Sequence, residues 1–164
     1  MQQGTRGRAG DATNQPATRR GHLMAKSTIF MGTTSIDSGR TAAEISGLLV
    51  ASGARQIACD YAPTGKITGL RFTIPVNSVV VAFALPVRID PILKHVRGDK
   101  AQAERVAWRQ LYRWVQAQLA LIEVGMVKAE EVYAPYMLQP NGQTLFEFLC
   151  ETTFKQLAAP KEGL

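Results

Sequence analysis

From about Lys100 to Val124 the chain runs without a proline or glycine, and Gly125 then stops it. At about 100° per residue, Ala107, Leu111, Trp114, Val115, Gln118, Leu121 and Ile122 fall on one face. The pattern predicts a long amphipathic helix with that face buried and Trp114 as its largest anchor. The opposite face carries Arg105, Arg109, Tyr112, Arg113 and Gln116, with Trp108 at the boundary.

The segments around this helix read as a sheet and shorter helices. Thr41 and Glu44 have capping-box spacing, Ile45, Leu48 and Leu49 share a face, and Gly53 supplies a stop, so a first helix opens at Thr41. Ile57, Cys59 and Tyr61 alternate as a first strand, with their side chains expected to be buried. Pro63 to Lys66 is a turn by composition. A second strand sets Leu70, Phe72 and Ile74 against Arg71 and Thr73, Pro75 to Ser78 turns the chain, and a third strand runs from about Val79 to Leu85. Links this short favour an antiparallel meander, because parallel strands need a longer crossover.

Asp90-Pro91 reads as N-cap and first residue of a short helix ending near Arg97. A helical piece from about Lys128 to Tyr133 stops before Pro135, and Asn141-Gly142 turns. Thr144 with Glu147 caps a last helix through about Leu157. The expected class is α+β, drawn as α-β-β-β-α-α-α. A three-stranded antiparallel meander is flanked by an N-terminal helix and a C-terminal helical half with one long helix, and helices cover one sheet face. The third strand is apolar on both sides, which predicts a second cover from another subunit and hence a homo-oligomer.

At 164 residues, 46% apolar and 20% charged, there is room for one folded domain, assigned to residues 41–158. Residues 1–23 are rich in Gly, Gln, Thr and Arg and read as a disordered basic leader. Met24-Ala-Lys-Ser looks like a translation start, so that leader is either a real arm, a start assigned too far upstream or an expression remnant. Residues 24–40 are a lead-in loop and 159–164 a flexible tail.

The longest apolar run, Val79 to Val87, is too short to span a bilayer and contains Pro86. The N-terminus lacks an apolar stretch after its arginines, which argues against a secretory signal. Cys59 and Cys150 are far apart and read as reduced core residues. A cytoplasmic protein is expected.

The formal charge is +6. Residues 1–23 hold four arginines against Asp11, leaving +3 on the remainder. A mildly basic domain favours an anionic partner. Arg105, Arg109 and Arg113, interleaved with Trp108 and Tyr112, form a strip suited to phosphate forks and base stacking, and so to single-stranded nucleic acid. Its plain alternative is a solvated helix face with Trp108 and Tyr112 tucked against the last helix. A second basic patch gathers Arg55, Lys66, Arg71 and Arg88 in or beside the strands, although Tyr61, Phe72 and Phe83 look buried and unable to stack.

Catalytic patterns fail on inspection. Gly32 to Thr41 has a superficial phosphate-loop look, but six residues separate its glycines and Arg40 stands where the lysine belongs. Neither His22, His95 nor either cysteine has a second ligand at a zinc spacing. Asp90 and Asp99 have capping roles, and the adjacent Glu130 and Glu131 cannot face the same way. The expectation is no enzyme, no catalytic residue, no metal and no cofactor.

The stretch Ala103-Glu-Arg-Val-Ala-Trp-Arg109 continues through Trp114 and Gln118-Leu-Ala-Leu-Ile-Glu123 to Tyr133-Ala-Pro-Tyr-Met137, with Gly142-Gln-Thr-Leu145 after it. It resembles small bacteriophage and prophage proteins to which no activity is assigned, over most of residues 41–150. The resemblance implies a phage or prophage origin, a setting in which small basic proteins serve replication or recombination. The sequence-level expectation is therefore a non-catalytic protein binding single-stranded DNA in that setting. The alternative is a protein–protein interaction module, a phage accessory or host-factor inhibitor, using a sheet edge or the last helix with Phe146, Phe148 and Phe154. A nuclease would require acidic residues to converge in one cleft.

Overall fold

The computed structural model describes residues 29–153. The leader, the tail, His22, Met24 and Phe154 lie outside the described residues.

Asp37 starts the first helix, α1 (Ser38–Ala51), with Oδ1 accepting from the Gly39 and Arg40 amides at 2.8 and 3.3 Å. The expected start at Thr41 is therefore late, and the lead-in loop ends at Asp37. A carboxylate that accepts two otherwise unpaired amides caps the helix one turn earlier. Thr41 is instead buried, its hydroxyl bonded to the Asp37 carbonyl.

Three strands follow, β1 (Gln56–Tyr61), β2 (Ile67–Val76) and β3 (Val79–Pro86), paired antiparallel in the order β1-β2-β3. The β2–β3 turn is tighter than Pro75 to Ser78. Only Asn77 and Ser78 lie outside the strands, with φ of 47° and 70°, a pair whose twist suits a two-residue hairpin. Pro75 survives inside β2 because β1 ends opposite Thr73, so beyond it one side of β2 has no ladder to break. Leu70, Phe72, Ile74, Phe83 and Leu85 point to one face and are buried, with the Phe72 and Phe83 rings 5.4 Å apart.

That face is covered by α1 and by the long helix α3 (Lys100–Glu123), which follows a single turn, α2 (Asp90–Leu93). Ile89, not Asp90, occupies the cap of α2, so Asp90 is already its first residue. Asp99 caps α3 by accepting from Gln102 at 2.9 Å. Ser38 reaches Glu104 and Arg109 reaches Glu44, so the two helices run parallel. A short helix α4 (Ala129–Tyr133), a 3₁₀ turn at Ala134–Tyr136 and α5 (Leu145–Glu151) complete the described chain. The class is α+β as expected.

The buried side of α3 differs from the wheel. Its first half is enclosed by two clusters, Trp108 and Val115 against α1 and the sheet, and Ala103, Val106 and Ala107 against Ile92 and Ile29. Trp108 is 0% exposed and is the largest fully buried side chain, whereas Trp114 is half-buried against the rings of Tyr133 and Tyr136. An arc buried on two sides is wider than one apolar stripe predicts.

Within one chain β3 is covered on one face only. Val79 and Val80 are exposed, at 62% and 58%, and Ala82 and Ala84 are half-buried. Met137 and Leu138 run antiparallel along the edge of β3, with the Leu138 amide donating to Ala82 O at 2.8 Å. Cys59 and Cys150 are both free and half-buried.

The α5 cap matches its sequence signature. Thr144 Oγ1 accepts from the Glu147 amide, and the Glu147 carboxylate accepts from the Thr144 amide at 2.8 Å and from its hydroxyl. These bonds, the backbone one first, hold the Glu147 carboxyl below its ordinary range. A carboxyl lowered in the fold contributes stability that is present above its unfolded pKa and lost as pH falls through the folded value. Thr144→Ala is expected to cost about 1 kcal/mol at neutral pH. That penalty should shrink below about pH 4, where carboxylates protonate, when thermal melts of the two proteins are compared across pH.

Candidate nucleic-acid interface

The five residues of the expected α3 strip divide. Trp108 is in the core and offers no stacking surface, which corrects its assignment to the strip. Arg109 is 6% exposed, donates to the Glu44 carboxylate and lies 4.3 Å from the Tyr112 ring centroid, so it too is withdrawn from solvent ligands. The reason is tertiary: α1 lies along this flank of α3 and supplies the counter-charge. Arg113 remains exposed, bonded to Gln116 at 2.9 Å and 5.7 Å from the Tyr112 centroid. Arg105 and Tyr112 are half-buried. Arg105 holds the Gln102 side-chain oxygen at 3.0 and 2.6 Å, a neutral acceptor that an anion can replace.

The second expected patch also divides. Arg71 is exposed on the uncovered sheet face and pairs with Asp60. Lys66 leaves the β1–β2 hairpin for α3, where Nζ lies 2.5 Å from the Glu104 carboxylate. Glu104 is 7% exposed and accepts from Ser38 Oγ at 3.0 Å as well. Arg55 and Arg88 are exposed elsewhere. Lys66 and Arg71 therefore do not share a surface.

A different grouping emerges. Lys66 and Arg105, from distant parts of the sequence, line one cleft of about 390 Å³ with Tyr61, Gly65, Ser38, Gly39 and Glu104. Tyr61 is 62% exposed, against the expectation that it is buried. The β1–β2 register shifts between Asp60 and Tyr61, and this last residue of β1 borders the open cleft with Ile67 and residues of α1 and α3. Because α1 and α3 are parallel, both amino ends, each carrying partial positive charge, lie at this end of the molecule. Exposed Arg40, Lys94, Arg97 and Lys100 sit at or before those helix starts together with Asp37, Asp90 and Asp99, whereas Glu123, Glu130 and Glu131 belong to the opposite end.

Residues 29–153 are nearly balanced, with twelve Lys and Arg against eleven Asp and Glu. Most of the chain's basic excess lies outside the described residues. The sequence offered no signal for this cleft, since neither the strand irregularity nor the parallel helix pair is written in local pattern.

The stretch with phosphate-loop resemblance is a capped helix start, with the Gln102 side-chain amide holding the Gly32 and Thr34 carbonyls at 2.8 and 3.0 Å. Among the described residues no three His, Cys, Asp or Glu side chains group to hold a metal, and no helix is long and apolar enough to cross a membrane. No protein-family model, curated protein or solved structure matches the chain.

Proposed function

We propose that the protein is a non-catalytic nucleic-acid-binding protein. It engages single-stranded DNA in the host cytoplasm as a phage or prophage accessory of replication or recombination. The observation that carries this reading is the cleft where Lys66, Arg105 and exposed Tyr61 meet at the amino ends of α1 and α3. Arg105, held only by a neutral acceptor, and Lys66 attract phosphate there, and the ring offers a face for a base. The site is thus displaced from the mid-helix strip to the end of α3, with Arg113 as an outlying contact.

The test is fluorescence anisotropy with a labelled thymidine oligonucleotide. With about three phosphates neutralised, affinity should fall roughly twentyfold between about 50 and 200 mM salt. Tyr61→Ala with Arg105→Glu should weaken binding at least about tenfold, as expected for one lost stack and one reversed charge, without moving the melting temperature. Binding insensitive to salt, or unchanged in this variant, overturns the proposal.

A second reading, a protein-interaction module that also self-associates, draws support from the exposed Val79 and Val80 beside the uncovered sheet face. It requires a defined complex, with itself or a host protein, that survives nuclease and is lost in Val80→Asp.

A further inference from the structure

β1 is an open edge of the sheet: among the described residues its one ladder is to β2. An edge strand turns every second pair of N–H and C=O groups outward, and these template another strand unless a proline, a lysine or a bulge intervenes. The β3 edge is partly covered by Met137 and Leu138. From Gln56 to Asp60, β1 contains no proline and no lysine, and the register shift comes only after Asp60. Ile57 and Cys59, opposite Phe72 and Leu70, lie on the covered face and pack against the core. Both are only half-buried, with no strand beyond them. Gln56, Ala58 and Asp60 alternate onto the uncovered face, where Asp60 already pairs with Arg71.

We infer that β1 pairs antiparallel with β1 of a second copy of this chain, about a two-fold axis perpendicular to the sheet at Ala58, joining the two sheets into one. Such an axis keeps every residue on its own face, so only residues of the same face come opposite each other. Centred on Ala58, it sets Gln56 against the partner's Asp60 and Asp60 against the partner's Gln56, an amide donor for a carboxylate in both directions. Ile57 and Cys59 meet the partner's Cys59 and the partner's Ile57, which carries the apolar layer across the seam. Centring on Ile57 sets Gln56 against an alanine, and centring on Cys59 does the same to Asp60, so neither polar group gains a partner. The strand thus matches itself in one register, which an isologous contact requires and a foreign peptide does not. Tyr61, past the register shift, lies outside this stretch and stays at the cleft.

A seam of one strand pair is smaller than a standard interface, so the dimer is reversible. Sedimentation of the full chain over a concentration series should show monomer passing to dimer. Gln56→Asp, which opposes carboxylates at both ends of the seam, should raise the dimer dissociation constant about fivefold, and Gln56→Lys should lower it by a similar factor. Gln56 is exposed, so neither change should move the melting temperature of the dilute monomer. In a background of Cys59→Ser and Cys150→Ser, Ala58→Cys should form an intermolecular disulfide under mild oxidation. Opposed Cα atoms about 4.5–5.5 Å apart are within its reach. Gln56→Cys in the same background should form none. A chain that stays monomeric, a dimer that answers both Gln56 changes alike or neither, or one broken instead by Val80→Asp on β3 each overturn the assignment.

Discussion

Trp108→Ala is expected to lower the unfolding free energy by about 3–5 kcal/mol, and at physiological temperature to leave much of the protein unfolded. Trp108 is the largest side chain fully removed from solvent, and it joins α3 to α1 and the sheet. No small shift of those elements refills the space of an indole, because each is fixed by its other contacts. Trp108→Phe separates volume from polarity. It retains most of the packing and removes an Nε1 that is buried without a partner, so it should cost far less. Chemical denaturation of the three proteins decides. A small loss for the alanine variant accompanied by weakened oligonucleotide binding would return Trp108 to the surface role that the helix wheel suggests.

The second large effect concerns Arg109. Glu44→Ala should destabilise by about 3 kcal/mol, because it leaves a buried guanidinium without its carboxylate. Arg109 has a side chain only 7% accessible and an Nε already lacking a partner, so the Tyr112 ring alone remains to compensate it. The comparison with Arg40 fixes the interpretation. Arg40 also pairs with Glu44, at 3.4 Å, but is largely exposed. Arg40→Ala should therefore change stability by less than about 0.5 kcal/mol. Adding Arg109→Met to Glu44→Ala should recover most of the loss, since what destabilises the single variant is the stranded charge. Equal losses in the single and double variants would mean that the contact acts through packing instead.

Where the structure follows from neighbouring residues, the sequence was readable. Thr144 and Glu147 carry their cap in a four-residue signature, and the alternation of Leu70, Phe72 and Ile74 identifies β2 and its buried side. Asp99, one residue before the apolar run, marks the start of α3. Thr41 and Glu44 misled because the same spacing served two tertiary jobs, a buried hydroxyl and an ion pair to α3. Tyr61 misled because the last residue of the strand borders an open cleft instead of the core. The division of the α3 strip was illegible for a related reason. A helical wheel ranks residues by one neighbour, and the first half of α3 has several. Lys66 and Arg105 were visible as cations, but their meeting depends on a hairpin reaching across to a parallel helix.

The parallel pairing of α1 with α3 has a consequence for synthesis. Contacts such as Ser38 with Glu104 span 66 residues, and the meander lies between the two helices in the chain. While the protein emerges from the ribosome, Leu70, Phe72 and Phe83 are made well before Trp108, Val115 and Tyr133, which bury them. At about 5–20 residues per second, the fifty residues from Phe83 to Tyr133 take roughly 3–10 s. For that interval α1 is the one helix already made that can cover the nascent sheet, and the part of the aromatic face that α3 and Tyr133 bury stays open.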